Sequence, residues 1–154
     1  MDVLLINSKE IKSHVHEIMP PLGLASLGCI LEENGFSVKI LDLEIRPADF
    51  DIYNYIKNLS PKIVGIGGTS PSRFESFRIA DIAKRVSNEI FVVYGGCHAT
   101  FTAEDTLSHI KDIDYIVRGE GEITFLELVD FLIRGKATVE NIAGIRKKWK
   151  GYRD

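Results

Sequence analysis

The sequence predicts an α/β fold in which helices cover both faces of one parallel β-sheet. Five short runs rich in valine and isoleucine alternate with longer helical patterns up to about residue 135. The runs are apolar along almost their whole length, which is typical of strands buried on both faces of a parallel sheet. The 154 residues fit one domain with a core of its own. Together these features predict a five-stranded, doubly wound α/β/α sandwich of the flavodoxin-like type.

The predicted elements alternate in order along the chain. Strands are predicted at residues 3–6, 37–41, 62–66, 90–94 and 114–117. The first helix, residues 22–34, is apolar almost all round, which indicates close packing on the sheet, and Gly35 ends it. Ser72 and Glu75 have the spacing of a capping box that begins the third helix. The other helices are predicted at residues 49–59, after a cap-like segment at 102–105, and at 125–132, ending near Gly135.

The two cysteines, Cys29 and Cys97, are isolated from each other in the sequence. They provide neither a disulfide framework nor a cysteine-ligated zinc or iron–sulfur site, so a reducing, cytoplasmic location is predicted. Asp2 and the short apolar run after it are not expected to form a signal peptide, and no segment is expected to span a membrane.

Charge is divided unevenly along the chain. Residues 1–133 carry 12 Lys and Arg against 20 Asp and Glu, whereas residues 134–154 carry 7 against 2. Because phosphate binding needs a basic surface, the acidic body argues against a nucleic-acid partner. We interpret the basic tail as a short solvated segment.

Glycine and small polar residues gather where three predicted strands end, at residues 65–70, 95–98 and 119–122. The carboxyl ends of parallel strands meet at one edge of the sheet, and ligands bind there at the point where the strand order reverses. Glycine has no Cβ, so a ligand can approach its backbone closely. Turns from strand to helix also use glycine, but three clusters at one edge favour a ligand site.

The loop after the first strand, residues 7–21, is longer than is usual in this fold. It carries His14 and His16, whose spacing would put them on the same side if the segment were extended. Two histidines without a third ligand do not make a metal site, and we interpret them as solvated loop residues. The prediction is therefore that the chain has no metal ligands.

Other ligand sites known on this fold lack their residues here. A phosphoacceptor domain would need acidic residues where Asn7 and Gly67 stand and a lysine where Arg118 stands. The first strand is followed by neither a hydroxyl-rich phosphate loop nor a Gly-x-Gly-x-x-Gly motif, and no Walker lysine is present. Flavin mononucleotide, dinucleotide and triphosphate binding are therefore disfavoured.

Four motifs in a fixed order resemble a known family. They are PPLGLA at residues 20–25, LEENGF at 31–36 leading to Leu41 and Asp42, GGCHAT at 95–100 and GEGE at 119–122. In this order and spacing the chain resembles the amino-terminal cobalamin-binding domain of radical S-adenosylmethionine enzymes. The segment NIAGIR at 141–146 is similar to the connection that leads from that domain to the radical barrel.

The resemblance implies a corrinoid on the carboxyl edge of the sheet, with its nucleotide tail reaching down near the point of strand reversal. Thr69 and Ser70 match the hydroxyl-bearing loop that holds the tail, and Gly95 and Gly96 match the glycine pair that lets it pass. The Asp-x-His-x-x-Gly motif that supplies a cobalt ligand in some relatives is absent, so we expect no histidine ligand, with His14 and His16 as outside candidates. The predicted cofactor-binding residues are Asn7, Thr69, Ser70, Pro71, Gly95, Gly96, His98, Gly119 and Glu120.

Radical S-adenosylmethionine chemistry needs a Cys-x-x-x-Cys-x-x-Cys motif, which two isolated cysteines cannot supply. The resemblance therefore implies a cobalamin-binding domain at residues 1–135 and a basic connecting tail at 136–154. A catalytic barrel in cis, outside this chain, would hold the iron–sulfur cluster and S-adenosylmethionine. The chain by itself is not expected to be catalytic, and it would present cobalamin for methyl transfer or related radical chemistry.

Two alternatives stay open at this point. One is a corrinoid-free structural or docking domain of the same fold, in which the GEGE loop and the basic tail contact a barrel or a partner protein. The other is a small nucleotide-binding enzyme in which Glu120 and Glu122 form an acid and base pair. Carboxylates two residues apart at the start of a helix are explained more simply by the helix dipole.

Overall fold

The computed structural model of the chain describes residues 1–10, 20–136 and 138–147. Within those ranges no helix combines the length and the apolar character needed to cross a bilayer. The elements in chain order are β1 (Val3–Asn7), α1 (Leu22–Glu33), β2 (Val38–Asp42), α2 (Ile52–Leu59), β3 (Ile63–Gly67), α3 (Arg73–Val86), β4 (Phe91–Gly95), α4 (Cys97–Phe101), α5 (Ala103–His109), β5 (Tyr115–Val117), α6 (Glu122–Arg134), a 3₁₀ turn (Val139–Asn141) and β6 (Ile145–Lys147).

The strands form one sheet in the order β2-β1-β3-β4-β5-β6. Strands β1 to β5 are parallel, and β6 runs antiparallel to β5, with Ile145 opposite Val117. The parallel-dominated α/β fold is confirmed, but the predicted number of strands is wrong, because the sheet has six and not five. The sequence of β6 conceals it, since only Ile145 of its three residues is buried. The strand order reverses between β1 and β3, which places the expected ligand edge above these two strands.

Alternate residues of the strands build two separate core layers. On one face Leu4, Ile6 and Val64 join the layer beneath α2, α3, α4 and α5. On the other face Leu5 and Val93 join the layer beneath α1 and α6. Since every second residue of a strand faces the same way, nearly continuous apolar strands are what a sheet covered on both faces requires.

Two predicted helix caps do not form. The Ser72 hydroxyl makes no cap bond to α3 and instead accepts a hydrogen bond from the Thr69 backbone N–H at 2.9 Å. Glu75 pairs with Arg78 at 2.6 Å rather than reaching back to Ser72. The predicted fourth helix is two short helices, and the Thr102 hydroxyl between them donates to the His98 carbonyl oxygen at 2.8 Å. In each case the side chain bonds to another nearby group instead of capping the helix.

Helix α2 begins later than predicted, at Ile52, because Asp51 caps it. The Asp51 carboxylate accepts a hydrogen bond from the Asn54 backbone N–H at 2.9 Å. This bond holds the pKa of the Asp51 carboxyl below its usual value. Gly35 and Gly135, which were predicted to end α1 and α6, both adopt positive φ angles of 81° and 67° just after those helices.

Candidate functional site

The carboxyl ends of the central strands lie in one row. Asn7 of β1 is in register with Gly67 of β3, and Gly67 is in register with Gly95 of β4. The residues that follow these strands form loops above the row. We call the row together with its loops the carboxyl edge. Residues predicted from three separate loops are thereby brought to one side of the molecule.

A cavity of about 70 Å³ opens beneath the carboxyl edge, between the sheet and helices α1 and α6. Leu24 and Leu27 of α1 and Phe125 of α6 form part of its wall. Every lining residue in the part of the chain that the structure describes is either apolar or glycine. We call this space the glycine-lined cavity. The glycines in its lining are Gly65, Gly67, Gly95, Gly96, Gly119 and Gly121.

The cavity exists because glycines leave one face of the sheet bare. Gly65 and Gly67 point to the same face as each other, two residues apart in β3. A Cβ at Gly65 would lie 2.8 Å from Leu5 Cδ2 and 3.2 Å from Phe125 Cζ. A Cβ at Gly67 would lie 3.1 Å from Leu24 Cδ2. The cavity wall therefore packs closely against these two glycines, and a side chain at either position would collide with it.

Gly96 brings the loops after β3 and β4 into direct contact. Its backbone has a φ of 103° and a ψ of −177°, a conformation that is essentially restricted to glycine. A Cβ at Gly96 would collide with the carbonyl oxygen of Gly68 and lie 3.2 Å from the Gly68 nitrogen. The Gly68 N–H donates to the Gly95 carbonyl oxygen at 3.2 Å, which fastens the two loops together.

On the opposite face of the sheet, beneath α3, Ser8, Ser72 and Ser76 form a buried hydroxyl cluster. The Ser76 hydroxyl donates to Ser8 Oγ at 2.9 Å, and the Ser8 and Ser72 hydroxyls are 3.0 Å apart. A Cβ at Gly68 would lie 2.5 Å from Ser76 Oγ, so glycine is needed above the cluster. The cluster therefore ties the loops after β1 and β3 to the start of α3.

Tyr94 lies beside the hydroxyl cluster at the end of β4. Its ring is fully buried and packs edge-on against Phe77 with centroids 5.9 Å apart. Its hydroxyl makes no well-formed hydrogen bond to any of the described residues. Burial raises the pKa of Tyr94 to about 12, so the phenol is protonated and neutral at physiological pH.

The predicted residues Thr69, Ser70 and Pro71 are exposed on the carboxyl edge and do not line the cavity. Thr69 Oγ1 donates to Glu10 Oε1 at 3.0 Å, and Ser70 Oγ lies 3.1 Å from His98 Nδ1. Burial, with a smaller contribution from the charge of Arg73, lowers the pKa of His98 below its usual value. We call Thr69, Ser70 and His98 the polar rim. Because its pKa is lowered, His98 favours the neutral form.

Some of the other predicted residues line the cavity, and the rest lie elsewhere on the carboxyl edge. Gly95, Gly96 and Gly119 line the cavity. Asn7 Nδ2 donates to Asp42 Oδ1 at 2.9 Å and thereby joins the ends of β1 and β2. Glu120 is exposed. His14 and His16 lie outside the described residues.

Several large apolar side chains around the same edge are exposed. Leu22 starts α1, Phe74 and Ile123 lie in the first turns of α3 and α6, and Phe101 ends α4. Their exposed fractions are 70%, 62%, 67% and 88% respectively. We call these four residues the apolar rim. Exposed apolar side chains grouped around one opening are typical of a surface that contacts a ligand or a partner.

The cavity wall and the hydroxyl cluster have no distinctive signature in the sequence. Leu24, Leu27 and Phe125 look like ordinary core positions of amphipathic helices, and only their location opposite the bare glycines makes them part of the site. Ser72 had been assigned to a helix cap. The clustering of glycines at strand ends was the signal that located the site.

Comparisons with known proteins show which family the chain resembles. Residues 9–129 match the family described as B12 binding domain. An uncharacterized methyltransferase of Pyrococcus horikoshii is 41% identical over 155 residues, which cover 98% of this chain and 33% of that protein. The chain therefore spans about a third of the length of that relative.

Solved structures give the same result. The radical S-adenosylmethionine methyltransferase TsrM of Kitasatospora setae, solved with cobalamin and a [4Fe-4S] cluster bound, superposes with a TM-score of 0.82 at 27% identity, covering 97% of this chain and 30% of that one. The cobalamin-dependent S-adenosylmethionine radical enzyme OxsB, solved with aqua-cobalamin and S-adenosylmethionine bound, has a TM-score of 0.76 at 20% identity, which is a likeness of fold. It covers 94% of this chain and 20% of that one.

Proposed function

The chain belongs to the B12-binding domain family, and from that membership we propose that it binds cobalamin at the carboxyl edge. In the proposal the nucleotide tail of the corrinoid enters the glycine-lined cavity and the ring lies over the loops above it. The chain then serves as the cobalamin-binding part of a radical S-adenosylmethionine enzyme, as its likeness to TsrM suggests. Cobalamin, when bound, would supply methyl transfer or redox chemistry.

The observation that carries the proposal is the bare face of the sheet at the carboxyl edge. A ligand with a flat aromatic tail needs an apolar slot in a sheet face, and Gly65, Gly67 and Gly95 provide one by their lack of side chains. Leu27 and Phe125 would contact the two faces of the tail. The described residues of the lining are apolar or glycine, which suits the cavity to binding an apolar group.

The polar rim supports the same orientation of the ligand. Thr69, Ser70 and His98 present hydroxyl and imidazole groups around the opening. The corrin ring carries amide side chains, which such groups can bind by hydrogen bonds. We propose no histidine ligand to cobalt from this chain, because the Asp-x-His-x-x-Gly motif is absent from its sequence.

We further propose that residues 1–135 form the cobalamin-binding unit and residues 136–154 lead towards a catalytic barrel in cis. The iron–sulfur cluster and S-adenosylmethionine would be held by that barrel, since this chain has only Cys29 and Cys97. A cytoplasmic location is part of the proposal and is supported by the free state of both cysteines.

The direct test is to mix the purified chain with hydroxocobalamin, remove free cofactor by desalting and record the visible spectrum. We expect a coloured protein with one corrinoid bound per chain. Protein that emerges colourless at micromolar concentrations would contradict the proposal.

A pair of variants at Gly95 tests the position of the tail. Gly95 lines the cavity without a positive φ, and a Cβ there would lie 3.8 Å from its nearest neighbour, the Val117 carbonyl oxygen. Gly95→Ala should therefore fold and lose little affinity, whereas Gly95→Leu should fill the cavity and abolish binding. Equal affinity of the two variants would show that the tail lies elsewhere, and urea unfolding of each variant checks that the fold is retained.

The apolar rim favours one second candidate function, a corrinoid-free docking domain. Leu22, Phe74, Phe101 and Ile123 would then contact a protein surface directly. The hydroxocobalamin experiment separates the two functions, because a docking domain would bind no corrinoid.

A further inference from the structure

We propose that the glycine-lined cavity selects the lower base of the corrinoid, accepting benzimidazole and discriminating against purine. This inference rests on the proposed function and deepens it by naming the class of cobamide that the site takes. Dimethylbenzimidazole and adenine are similar in size, so polarity rather than volume must distinguish them. The inference therefore depends on which polar groups the cavity offers.

The side chains of the cavity offer none. Among residues 1–10, 20–136 and 138–147, those that line the cavity are all apolar or glycine, including Leu24 and Leu27 of α1, Val117 of β5 and Phe125 of α6. Val117 and Phe125 are 6% and 3% exposed, so water does not reach the inner wall freely. A base that enters this space exchanges hydration for contacts with aliphatic carbon and one aromatic ring.

The backbone groups at the mouth are already engaged. The Gly67 carbonyl oxygen accepts from the Ser8 backbone N–H at 3.1 Å and from the Ser8 hydroxyl at 2.9 Å. The Gly95 carbonyl oxygen accepts from the Gly68 N–H at 3.2 Å. The Gly121 carbonyl oxygen accepts from the Phe125 N–H at 2.7 Å. The Gly67 oxygen thereby uses both of its lone pairs, and the Gly95 and Gly121 oxygens each use one of two. None of the three can serve the ring nitrogens of a base, which need a hydrogen-bond donor.

The buried hydroxyls nearest to the site serve the other face of the sheet. Ser8, Ser72 and Ser76 bond to one another beneath α3, whereas the cavity lies beneath α1 and α6. Ser26 on α1 bonds to Glu122 Oε1 at 3.1 Å, and neither residue is in the lining. The polar groups of this region therefore satisfy each other and leave the cavity apolar.

The two bases differ in what they require. Dimethylbenzimidazole, attached through one nitrogen, carries a single ring acceptor and two methyl groups. Adenine carries an exocyclic amine and additional ring nitrogens, which lose their water partners on entry. An unpartnered buried polar group weakens binding by about tenfold or more. We therefore expect cobalamin to bind at least about tenfold more tightly than the adenine-containing cobamide.

The experiment measures the affinity of the purified chain for three corrinoids by spectral titration. The probes are hydroxocobalamin, the cobamide with adenine in place of dimethylbenzimidazole, and cobinamide, which has no nucleotide tail. We expect the order cobalamin, adenine cobamide, cobinamide from tightest to weakest. Equal affinity for the first two, or for cobalamin and cobinamide, would overturn the inference while leaving corrinoid binding intact. No binding of any probe would overturn the proposed function as well.

Two variants of Leu27 assign the selection to the cavity. Leu27 is partly buried and lines the cavity, so Leu27→Gln adds an amide to the wall, and Leu27→Met is the apolar control. The two cobamides also differ in how readily their base leaves cobalt in solution. This difference is the same for both variants, so it cancels when the ratio of cobalamin affinity to adenine-cobamide affinity is compared between Leu27→Gln and Leu27→Met. We expect Leu27→Gln to reduce the preference for cobalamin about tenfold relative to Leu27→Met. The same ratio in both variants would overturn the assignment.

Discussion

Substitution of Gly96 by alanine is the most direct test of how the carboxyl edge is built. Gly96 has a φ of 103°, and a Cβ there would collide with the carbonyl oxygen of Gly68 and approach the Gly68 nitrogen to 3.2 Å. Both atoms belong to the backbone, which cannot rotate away as a side chain can. The loops after β3 and β4 would have to separate, and the bond from the Gly68 N–H to the Gly95 carbonyl would be strained.

The magnitude follows from two contributions. Holding a residue with a side chain in this backbone region costs about 1–3 kcal/mol. Forcing an extra carbon against fixed atoms costs about 1–3 kcal/mol more. We expect Gly96→Ala to lower the free energy of unfolding by about 3–4 kcal/mol, a large part of the stability of a typical domain.

Gly119→Ala is the matched control. Gly119 also lies at the carboxyl edge with a positive φ of 70°, but a Cβ there would have no neighbour within 4 Å. This variant carries only the backbone penalty, about 1–2 kcal/mol. The difference between the two variants therefore combines the collision with Gly68 and the more restricted backbone conformation of Gly96.

The assay is urea unfolding followed by far-ultraviolet circular dichroism, with the free energy in water obtained by linear extrapolation. We expect Gly96→Ala to lose at least about 1.5 kcal/mol more than Gly119→Ala. Losses equal within about 0.5 kcal/mol, the usual scatter of such comparisons, would refute the argument from close approach.

Further predictions concern the buried hydroxyls and the polar rim. Tyr94→Phe should raise the free energy of unfolding by about 1 kcal/mol, because it removes a buried hydroxyl that has no partner among the described residues, and a lower melting temperature would contradict this. Ser72→Ala should lower it by about 1–3 kcal/mol, since Ser8 and the Thr69 N–H lose a buried partner, whereas Ser108→Ala on the surface should have little effect. The pKa of His98, followed by NMR, should lie below the value of about 6.5 for an unperturbed imidazole. Because the unfolded chain takes up this proton more readily, stability should fall as pH decreases from about 6.5 to the pKa of His98 in the folded state, and His98→Gln should remove that part of the pH dependence.

Two of the strands that the sequence predicts correctly, β1 and β3, are buried on both faces. β1 and β3 are apolar throughout because helices cover both sides, and their composition alone identifies them. β6 could not be found in this way, because Arg146 and Lys147 are exposed and its pairing depends on the free edge of β5. An edge strand of three residues has no periodic pattern to detect.

The site was predictable to the extent that it depends on glycine. Gly95, Gly96 and Gly119 mark strand ends in the sequence and line the cavity in the structure. The wall residue Phe125 has the sequence signature of any core residue, and only the sheet topology brings it opposite Gly65. Ser72 has a side chain that can cap a helix or bond to Ser8, and the tertiary contact with Ser8 decides between them.

The two outer strands of the sheet also bear on how the protein behaves at high concentration. An uncovered strand presents unpaired N–H and C=O groups to any other chain, and edge-to-edge pairing of this kind is a common route to aggregation. β2 exposes Lys39 at its second position, and β6 is only three residues long and exposes Arg146. If a second copy of the chain paired with either edge strand, Lys39 or Arg146 would be buried beside a charge of that second copy. We therefore expect the chain to stay dispersed without its ligand, and Lys39→Val to promote aggregation that light scattering would detect.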